Sequence, residues 1–250
     1  MIPPVIRQAS NLLRRSGYTV ALTGAGISTP SGIPDFRTPA AGLWSQFDPL
    51  EVASIWAFAE HPERFYRWIR PLLRRLMTAQ PNAAHHVLAE MESRGALRAV
   101  ITQNVDSLHQ AAGSRRVLEL HGHTRAATCI DCGFEQPTAP MLPALLSGAL
   151  PRCPRCGGWL KPNVILYGEL LPYDVLRAAQ QEALACEVML IVGSSLEVLP
   201  AADLPLLARR RGARLILINQ TSTPLDDQAE VLIHDDVARA LPQVWHDLAD

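Results

Sequence analysis

The chain has 250 residues, a formal net charge of −1 and 48% hydrophobic residues. That length fits one large α/β domain or one domain with a small insert, and it is ample for a sizeable core. No apolar run reaches the ~18 residues of a membrane span, the charge balance gives no basic tail for nucleic acid, and the N-terminal stretch lacks a basic region followed by an apolar one, so no membrane anchoring, no direct nucleic-acid contact and no secretory signal is expected.

Helical spacing of Val5, Ile6, Ala9, Leu12 and Leu13 predicts a helix over 3–16, stopped by Gly17. The β-formers Tyr18 to Thr23 predict a strand that breaks at Gly24-Ala25-Gly26. A strand feeding a glycine turn is how α/β proteins bring backbone N–H groups up to a pyrophosphate, since glycine has no Cβ to block close approach. The dinucleotide fingerprint also asks for a third glycine, where this chain has Thr29, and an acidic residue further on, so any such site is a variant. Residues 38–49 read as a mobile loop, with 34–50 a candidate lid. Glu51 to Ala79 reads as helices carrying Trp56, Phe58, Phe65, Tyr66 and Trp68, most of them expected in the core. Asn82 is placed to cap a helix over 83–94 that Gly95 ends. Strands are expected at 97–102, with Thr102-Gln103-Asn104-Val105-Asp106-Ser107-Leu108-His109 at the carboxyl end, and at 117–120, ending on His121. From Arg125 to Leu160 cysteine, proline and glycine replace periodicity. Strands at 188–192, 214–218 and 231–233 then alternate with helices near 173–184 and 202–211 and one from Val237.

Strands alternating with helices predict an α/β fold, a Rossmann-like, doubly wound parallel sheet with a small zinc-binding and helical insert domain. The expected division gives 1–37, 83–124 and 161–250 to the sheet domain, 38–82 to a loop and helical insert, and 125–160 to a metal module. Ligands of such sheets bind beyond the carboxyl ends of strands. Gly24, Gln103, His121, Gly193 and Asn219 all follow expected strands, so one crevice is expected to collect them.

The five cysteines comprise two Cys-x-x-Cys pairs, Cys129/Cys132 and Cys153/Cys156, separated by 20 residues, and a lone Cys186. The pairs have the spacing of a tetrahedral four-cysteine zinc site, with two disulfides or inert thiols as the alternative. Four thiolates leave no position for water, so this zinc is structural. Cys186, in an apolar segment, reads as a small buried hydrophobe. So few cysteines fit a reducing, cytoplasmic compartment. His121 stands beside Gly122, which leaves room for a ligand, and an unperturbed histidine titrating near ~6.5 suits a general base. Asn104 and Asp106, in a strand-end loop, are either turn residues or polar ligand contacts.

Gly24 to Arg37, reading GAGISTPSGIPDFR, resembles the cofactor-loop signature of the sirtuins, the NAD-dependent protein-lysine deacylases. The stretch from Thr102 to His109 and Glu119-Leu120-His121-Gly122 resemble their second and catalytic signatures, and further matches extend the resemblance over nearly the whole chain. The resemblance implies a co-substrate, NAD, contacted by Gly24, Ala25, Gly26, Thr29, Asp35, Phe36, Arg37, Gln103, Asn104, Val105, Asp106, His121, Gly193, Ser194, Ser195, Asn219 and Val237. It makes His121 the base, with Asn104 and Asp106 beside the nicotinamide and its ribose, and it implies the structural zinc. The family's Gly-Thr-Ser is Gly193-Ser194-Ser195 here, which keeps the hydroxyl. Acetylated lysine-containing proteins or peptides are the implied partners, paired along Val164, Leu166, Tyr167, Gly168 and Glu169 on one side and Glu197 and Val198 on the other. Two phenylalanines usual before Gly-Glu are Leu166 and Tyr167 here.

The implied reaction is deacetylation, releasing nicotinamide, O-acetyl-ADP-ribose and free lysine. A protein ADP-ribosyltransferase on the same scaffold is the alternative, which retention of His121 and a peptide edge argues against. Members that remove succinyl or malonyl groups carry Tyr-x-x-Arg beside the acyl tunnel. Here Tyr66 matches, Ile69 stands at the arginine position and Arg70 is one residue on, so acetyl or longer apolar groups are expected over succinyl. Lys161 is the only lysine.

Overall fold

The computed structural model describes residues 2–36, 42–45 and 47–249. Among these, the strands in chain order are β1 (Thr19–Thr23), β2 (Ala99–Thr102), β3 (Val117–Glu119), β4 (Gly122–Cys129), β5 (Glu135–Pro137), β6 (Leu160–Val164), β7 (Val188–Val192), β8 (Arg214–Ile218) and β9 (Val231–Ile233). The chain divides into two compact units, one of Met1–Gly32, Gln80–Leu120 and Tyr173–Asp250, the other of Ile33–Ala79 and His121–Pro172.

In the first unit six parallel strands follow the order β3-β2-β1-β7-β8-β9. The chain lays β1, β2 and β3 outward in one direction, then returns to add β7, β8 and β9 on the far side of β1. The order therefore reverses between β1 and β7, and a doubly wound sheet binds its ligand at such a reversal. Every residue of β1 and of β7 is buried, as expected for central strands covered on both faces. Ala21, Val100, Leu190 and Ile216 share one core with Ile6, Ala9 and Leu13 of the helix Pro4–Arg15, Leu88 of Ala83–Ser93 and Leu241 and Val244 of Val237–Ala249. The alternate residues Val20, Leu22, Ile101, Met189 and Leu217 are fully buried as well. The helices Tyr173–Ala185 and Leu204–Arg210 pack on the sheet through β3, β7 and β8. The Asn82 side chain accepts from the Ala84 N–H and caps the helix Ala83–Ser93 as expected.

In the second unit β4 lies between β5 and β6 in an antiparallel three-stranded sheet. The helices Ile55–Glu60 and Pro62–Thr78 bring Phe58, Phe65 and Tyr66 together edge-on, with ring centroids 5.2–6.0 Å apart. These three rings are core, as expected of the segment. Trp56 is not, being 62% exposed. From the sequence, 121–124 and 161–172 are expected in the parallel-sheet domain, whereas here β4 opens at Gly122 and β6 pairs with it in the other unit. Alternating polarity marks a strand but carries no information on the direction of its partner. Among the described residues no helix is long and apolar enough to cross a membrane.

Candidate active site

The glycines after β1 and β7 fix the geometry at the strand reversal. Gly26 donates its N–H to the Gly193 carbonyl at 2.8 Å, and Gly24 donates to the Val192 carbonyl at 3.3 Å. A Cβ at Gly24 would lie 2.9 Å from the Gly193 oxygen, and one at Gly26 2.8 Å from it. Gly193 itself has φ +62 and would drive a Cβ into the backbone of Gly26 and Ile27. The sequence points to close approach by a pyrophosphate. What these glycines achieve first is close approach of two backbone loops, which no side chain permits.

Onto this frame β2 delivers its carboxyl-end loop. The Asn104 amide donates to the Gly24 carbonyl at 3.1 Å and to the Ser28 hydroxyl at 3.0 Å, and Ser28 Oγ donates to Asp106 Oδ2 at 2.6 Å. Asp106 Oδ1 accepts the Leu108 N–H at 2.9 Å, and Ser107 between them adopts φ +62. Desolvation raises the Asp106 carboxyl above its ordinary value, opposed by the Ser28 and Leu108 donors. Gln103 Nε2 donates to Ser194 Oγ at 2.9 Å and joins the ends of β2 and β7. Thr29 closes the turn on the Gly26 carbonyl at 3.0 Å, while Ala25, Val105 and Ser195 stay half-buried beside these groups in the chain. After β8 the Asn219 amide holds the Thr221 carbonyl at 2.8 Å. Val237, buried, starts a helix that packs on the Ala25–Ile27 turn and on β8.

Beneath this loop lies a buried polar chain that the sequence did not announce. Thr23 Oγ1 donates to Thr102 Oγ1 at 2.9 Å and contacts His109 Nε2 at 2.9 Å, and Thr102 Oγ1 accepts the Asn104 N–H at 3.1 Å. The His109 ring lies 4.9 Å from that of His85. Asn82, besides capping its helix, donates to the Ile27 carbonyl at 2.8 Å and to Ser31 Oγ at 2.9 Å. Ser28 is the residue that sequence reasoning passed over. It bridges two expected site residues, and its only signal was a place inside the first motif.

In the second unit His121 precedes β4 directly, and its carbonyl accepts the Ile165 N–H at 2.9 Å. Gly122 has φ +73, and a Cβ there would collide with the Asn163 carbonyl. This glycine serves strand pairing with β6 rather than making room for a ligand. Lys161 Nζ donates to the Val164 carbonyl at 2.8 Å and to Glu169 Oε2 at 3.0 Å, and the same carboxylate oxygen accepts the Leu166 N–H at 2.8 Å. Tyr167 is bridged to Ser54, donating to the Ala53 carbonyl and accepting from the Ile55 N–H, both at 2.9 Å. Val164 and Leu166 are buried, and Gly168 is exposed. Glu197, exposed, and Val198, half-buried, follow β7 in the first unit.

The Trp44 N–H donates to the Phe36 carbonyl at 2.9 Å and the Leu43 N–H to that of Asp35 at 3.0 Å, so the Phe36 ring meets Trp44 at 5.1 Å and Trp44 stacks on Trp68 at 5.4 Å. Arg37 lies outside the described residues, as does part of the 34–50 segment expected to form a lid. The Tyr66 hydroxyl, its ionisation pushed up by burial, donates to the Leu160 carbonyl. Arg70 Nε donates to the Leu145 carbonyl at 2.7 Å, and Ile69 is buried.

The four cysteines of the pairs are unbridged, with Sγ–Sγ distances of 3.4–3.6 Å among Cys129/Cys156, Cys132/Cys153 and Cys132/Cys156. Four sulfurs at ~2.3 Å from a tetrahedral zinc lie about 3.8 Å apart, whereas a disulfide needs ~2.05 Å. All four Sγ atoms fall within 4.8 Å of one another, so the set fits the metal and excludes the disulfide alternative. The Arg155 N–H points at Cys153 Sγ and the Gly158 N–H at Cys156 Sγ, each at 3.4 Å. Arg155 and Arg152 lie over the Phe134 and Trp159 rings at 4.2 and 3.2 Å. Cys186 is buried, its thiol pushed up to about 12 by desolvation, in agreement with an inert packing role.

A parallel sheet reversing at β1/β7, a polar cluster on that reversal and a four-cysteine module define a dinucleotide-dependent α/β protein with a structural metal. Residues 24–200 match the model of the Sir2 family, and the chain belongs to that family. It is 47% identical over 237 residues to NAD-dependent protein deacetylase 1 of Pyrobaculum aerophilum, covering 95% of this chain and 92% of the relative. It is 44% identical over 236 residues to NAD-dependent protein deacetylase 1 of Geobacillus kaustophilus, covering 94% of each. A Sir2 enzyme solved to address Sir2 mechanism and regulation matches with TM-score 0.93 at 43% identity, over 98% of this chain and 97% of that one. A Sir2 variant holding deacetylated p53 peptide and 3′-O-acetyl ADP ribose matches with TM-score 0.92 at 41% identity, over 97% of this chain and 98% of that one.

Proposed function

We propose that the chain is an NAD-dependent protein-lysine deacetylase that releases nicotinamide, O-acetyl-ADP-ribose and free lysine. The observation that carries this reading is the Asn104–Ser28–Asp106 cluster set on the glycine-packed strand reversal, in a chain whose relatives are named protein deacetylases. NAD bound here as co-substrate would supply the ribose C1′ as acceptor for the acyl oxygen, with nicotinamide as the leaving group. The small side chains of Gly24, Ala25, Gly26, Thr29 and Gly193 to Ser195 suit its phosphates, as do Asp35, Phe36 and Arg37. Asn219 and Val237 suit the adenosine end. Gln103, Asn104, Val105 and Asp106 hold the nicotinamide and its ribose. A preformed polar site of this kind stabilises developing charge without reorganising. His121 takes the proton of a ribose hydroxyl, a role suited to imidazole at neutral pH. The acyl-peptide pairs along Val164, Leu166, Tyr167, Gly168 and Glu169 and along Glu197 and Val198.

Acetyl and longer apolar acyl groups are preferred over succinyl. Arg70 is committed to the Leu145 carbonyl and Tyr66 to that of Leu160, so neither supports capture of an acyl carboxylate. A related structure, 38% identical with TM-score 0.85, holds a myristoylated histone peptide. The zinc held by Cys129, Cys132, Cys153 and Cys156 is structural. The low cysteine count fits a reducing, cytoplasmic setting.

The test is His121→Ala on an acetyl-peptide with NAD, followed by mass spectrometry of the products. Loss of turnover by about 10²- to 10⁴-fold, with NAD binding and zinc content retained, is expected. Near-normal turnover removes His121 from the mechanism, and an ADP-ribosylated protein without O-acetyl-ADP-ribose selects the transferase instead.

A further inference from the structure

Trp56 is 62% exposed, unusual for so large an aromatic surface outside an interface. Its six-membered ring lies against Gly168. An ideal Cβ at Gly168 would sit 2.5 Å from Trp56 Cη2 and 2.8 and 2.9 Å from Cζ2 and Cζ3. The indole thus occupies the space that a side chain at Gly168 would take. The bridge between Ser54 and Tyr167 holds the two segments in register, through the Ile55 N–H and the Ala53 carbonyl. That bridge turns the Tyr167 N–H and C=O towards the 53–55 segment. Gly168 follows in a turn that the Glu169 N–H closes on the Leu166 carbonyl at 3.0 Å, with φ +90, and its own N–H and C=O make no hydrogen bond among the described residues. Leu170, 92% exposed, stands two residues on.

We propose that Trp56 is a specificity-determining residue that acts as a surrogate side chain for Gly168, reading one residue of the substrate peptide beside the acyl-lysine. This rests on the peptide-deacylase reading given above. A peptide backbone that takes up the Gly168 N–H or C=O passes beside the indole, which fills the space a Gly168 Cβ would take. The preferred peptide residue is therefore large and apolar, aromatic, or an arginine that lies on the indole face. Glycine offers no contact there, and an acidic side chain meets the electron-rich ring face.

The experiment measures kcat/KM for acetyl-lysine peptides in which each flanking position in turn carries Gly, Leu, Phe, Arg or Glu. It uses the wild type, Trp56→Ala and Trp56→Phe, with melting temperatures compared. The wild type should favour Leu, Phe and Arg over Gly and Glu by about 3- to 10-fold at one position. Trp56→Ala should flatten that position alone, Trp56→Phe should retain much of it, and KM for NAD should not move. A wild-type profile flat at every position, a profile unchanged in Trp56→Ala, or an equal loss on all peptides overturns the assignment while leaving the deacylase reading intact. Absence of NAD-dependent turnover on every peptide overturns the deacylase reading, and the proposal with it.

Discussion

His85 and His109 are buried to within 1% of full enclosure, and His85 Nε2 and His109 Nδ1 make no hydrogen bond. Desolvation holds His85 down to about 4 and His109 to about 3, each lowered further by a histidine neighbour, His86 for the first and His85 for the second. An unfolded histidine titrates near ~6.5. Between those values the unfolded chain binds protons that the folded chain refuses, so stability is complete above about pH 6.5 and falls as the pH drops. The slope approaches about 1 kcal/mol per pH unit for each imidazole. A melting temperature that declines between about pH 7 and about pH 5, with a shallower decline in His109→Gln, is expected. A flat profile across that window, or one identical in the variant, contradicts it. His109 ends the Thr102–His109 motif and His85 lies in none, but in neither case does anything local mark the ring as buried. Asn104 and Asp106 are legible only because they stand in a motif, and Ser28, which joins them, carries no signal of its own beyond a place in the same turn.

At the scale of elements, the Leu160–Glu169 segment depends on one ion pair. Lys161 and Glu169 have side chains 11% and 22% exposed, and the carboxylate also takes the Leu166 N–H. Lys161→Met leaves that carboxylate poorly solvated and without its cation, at a cost of about 1–3 kcal/mol. A lowered melting temperature together with a raised KM for acyl-peptide, at constant KM for NAD, is the expected outcome of thermal and kinetic measurements. If both KM values rise in parallel, the pair supports the fold at large rather than this segment. Composition predicts no strand over 160–164, where Lys161, Pro162 and Asn163 interrupt the apolar residues. β6 is too short to show which neighbour its alternation serves, and pairing with β4 depends on Gly122, whose positive φ no periodicity reveals. By contrast the parallel sheet is readable, since β1 and β7 are buried throughout and follow the helix-alternating order that such sheets require.

At the scale of the molecule, the two units have separate means of support. The first has a continuous core that links three helices to the sheet. The metal module has a small one, in which Cys129 and Cys153 are themselves members beside Ala127 and Leu160. A module whose ligands form part of its core folds around the metal. Cys129→Ser, or a strong chelator, is expected to remove zinc by elemental analysis and to lower the first thermal transition in calorimetry, while the parallel-sheet unit keeps a transition of its own. Loss of zinc with an unchanged melting profile would falsify this.

The single lysine has a chemical consequence. Reactive acyl donors modify exposed primary amines, and the lysine side chain here is enclosed and hydrogen-bonded to Val164 and Glu169. The positive charge of the surface rests on guanidinium groups, which stay protonated and resist acylation at neutral pH. A protein proposed to strip acyl groups from lysine thus presents almost no such target on itself, so neither spontaneous acylation nor a second enzyme molecule has an accessible side-chain amine on which to act.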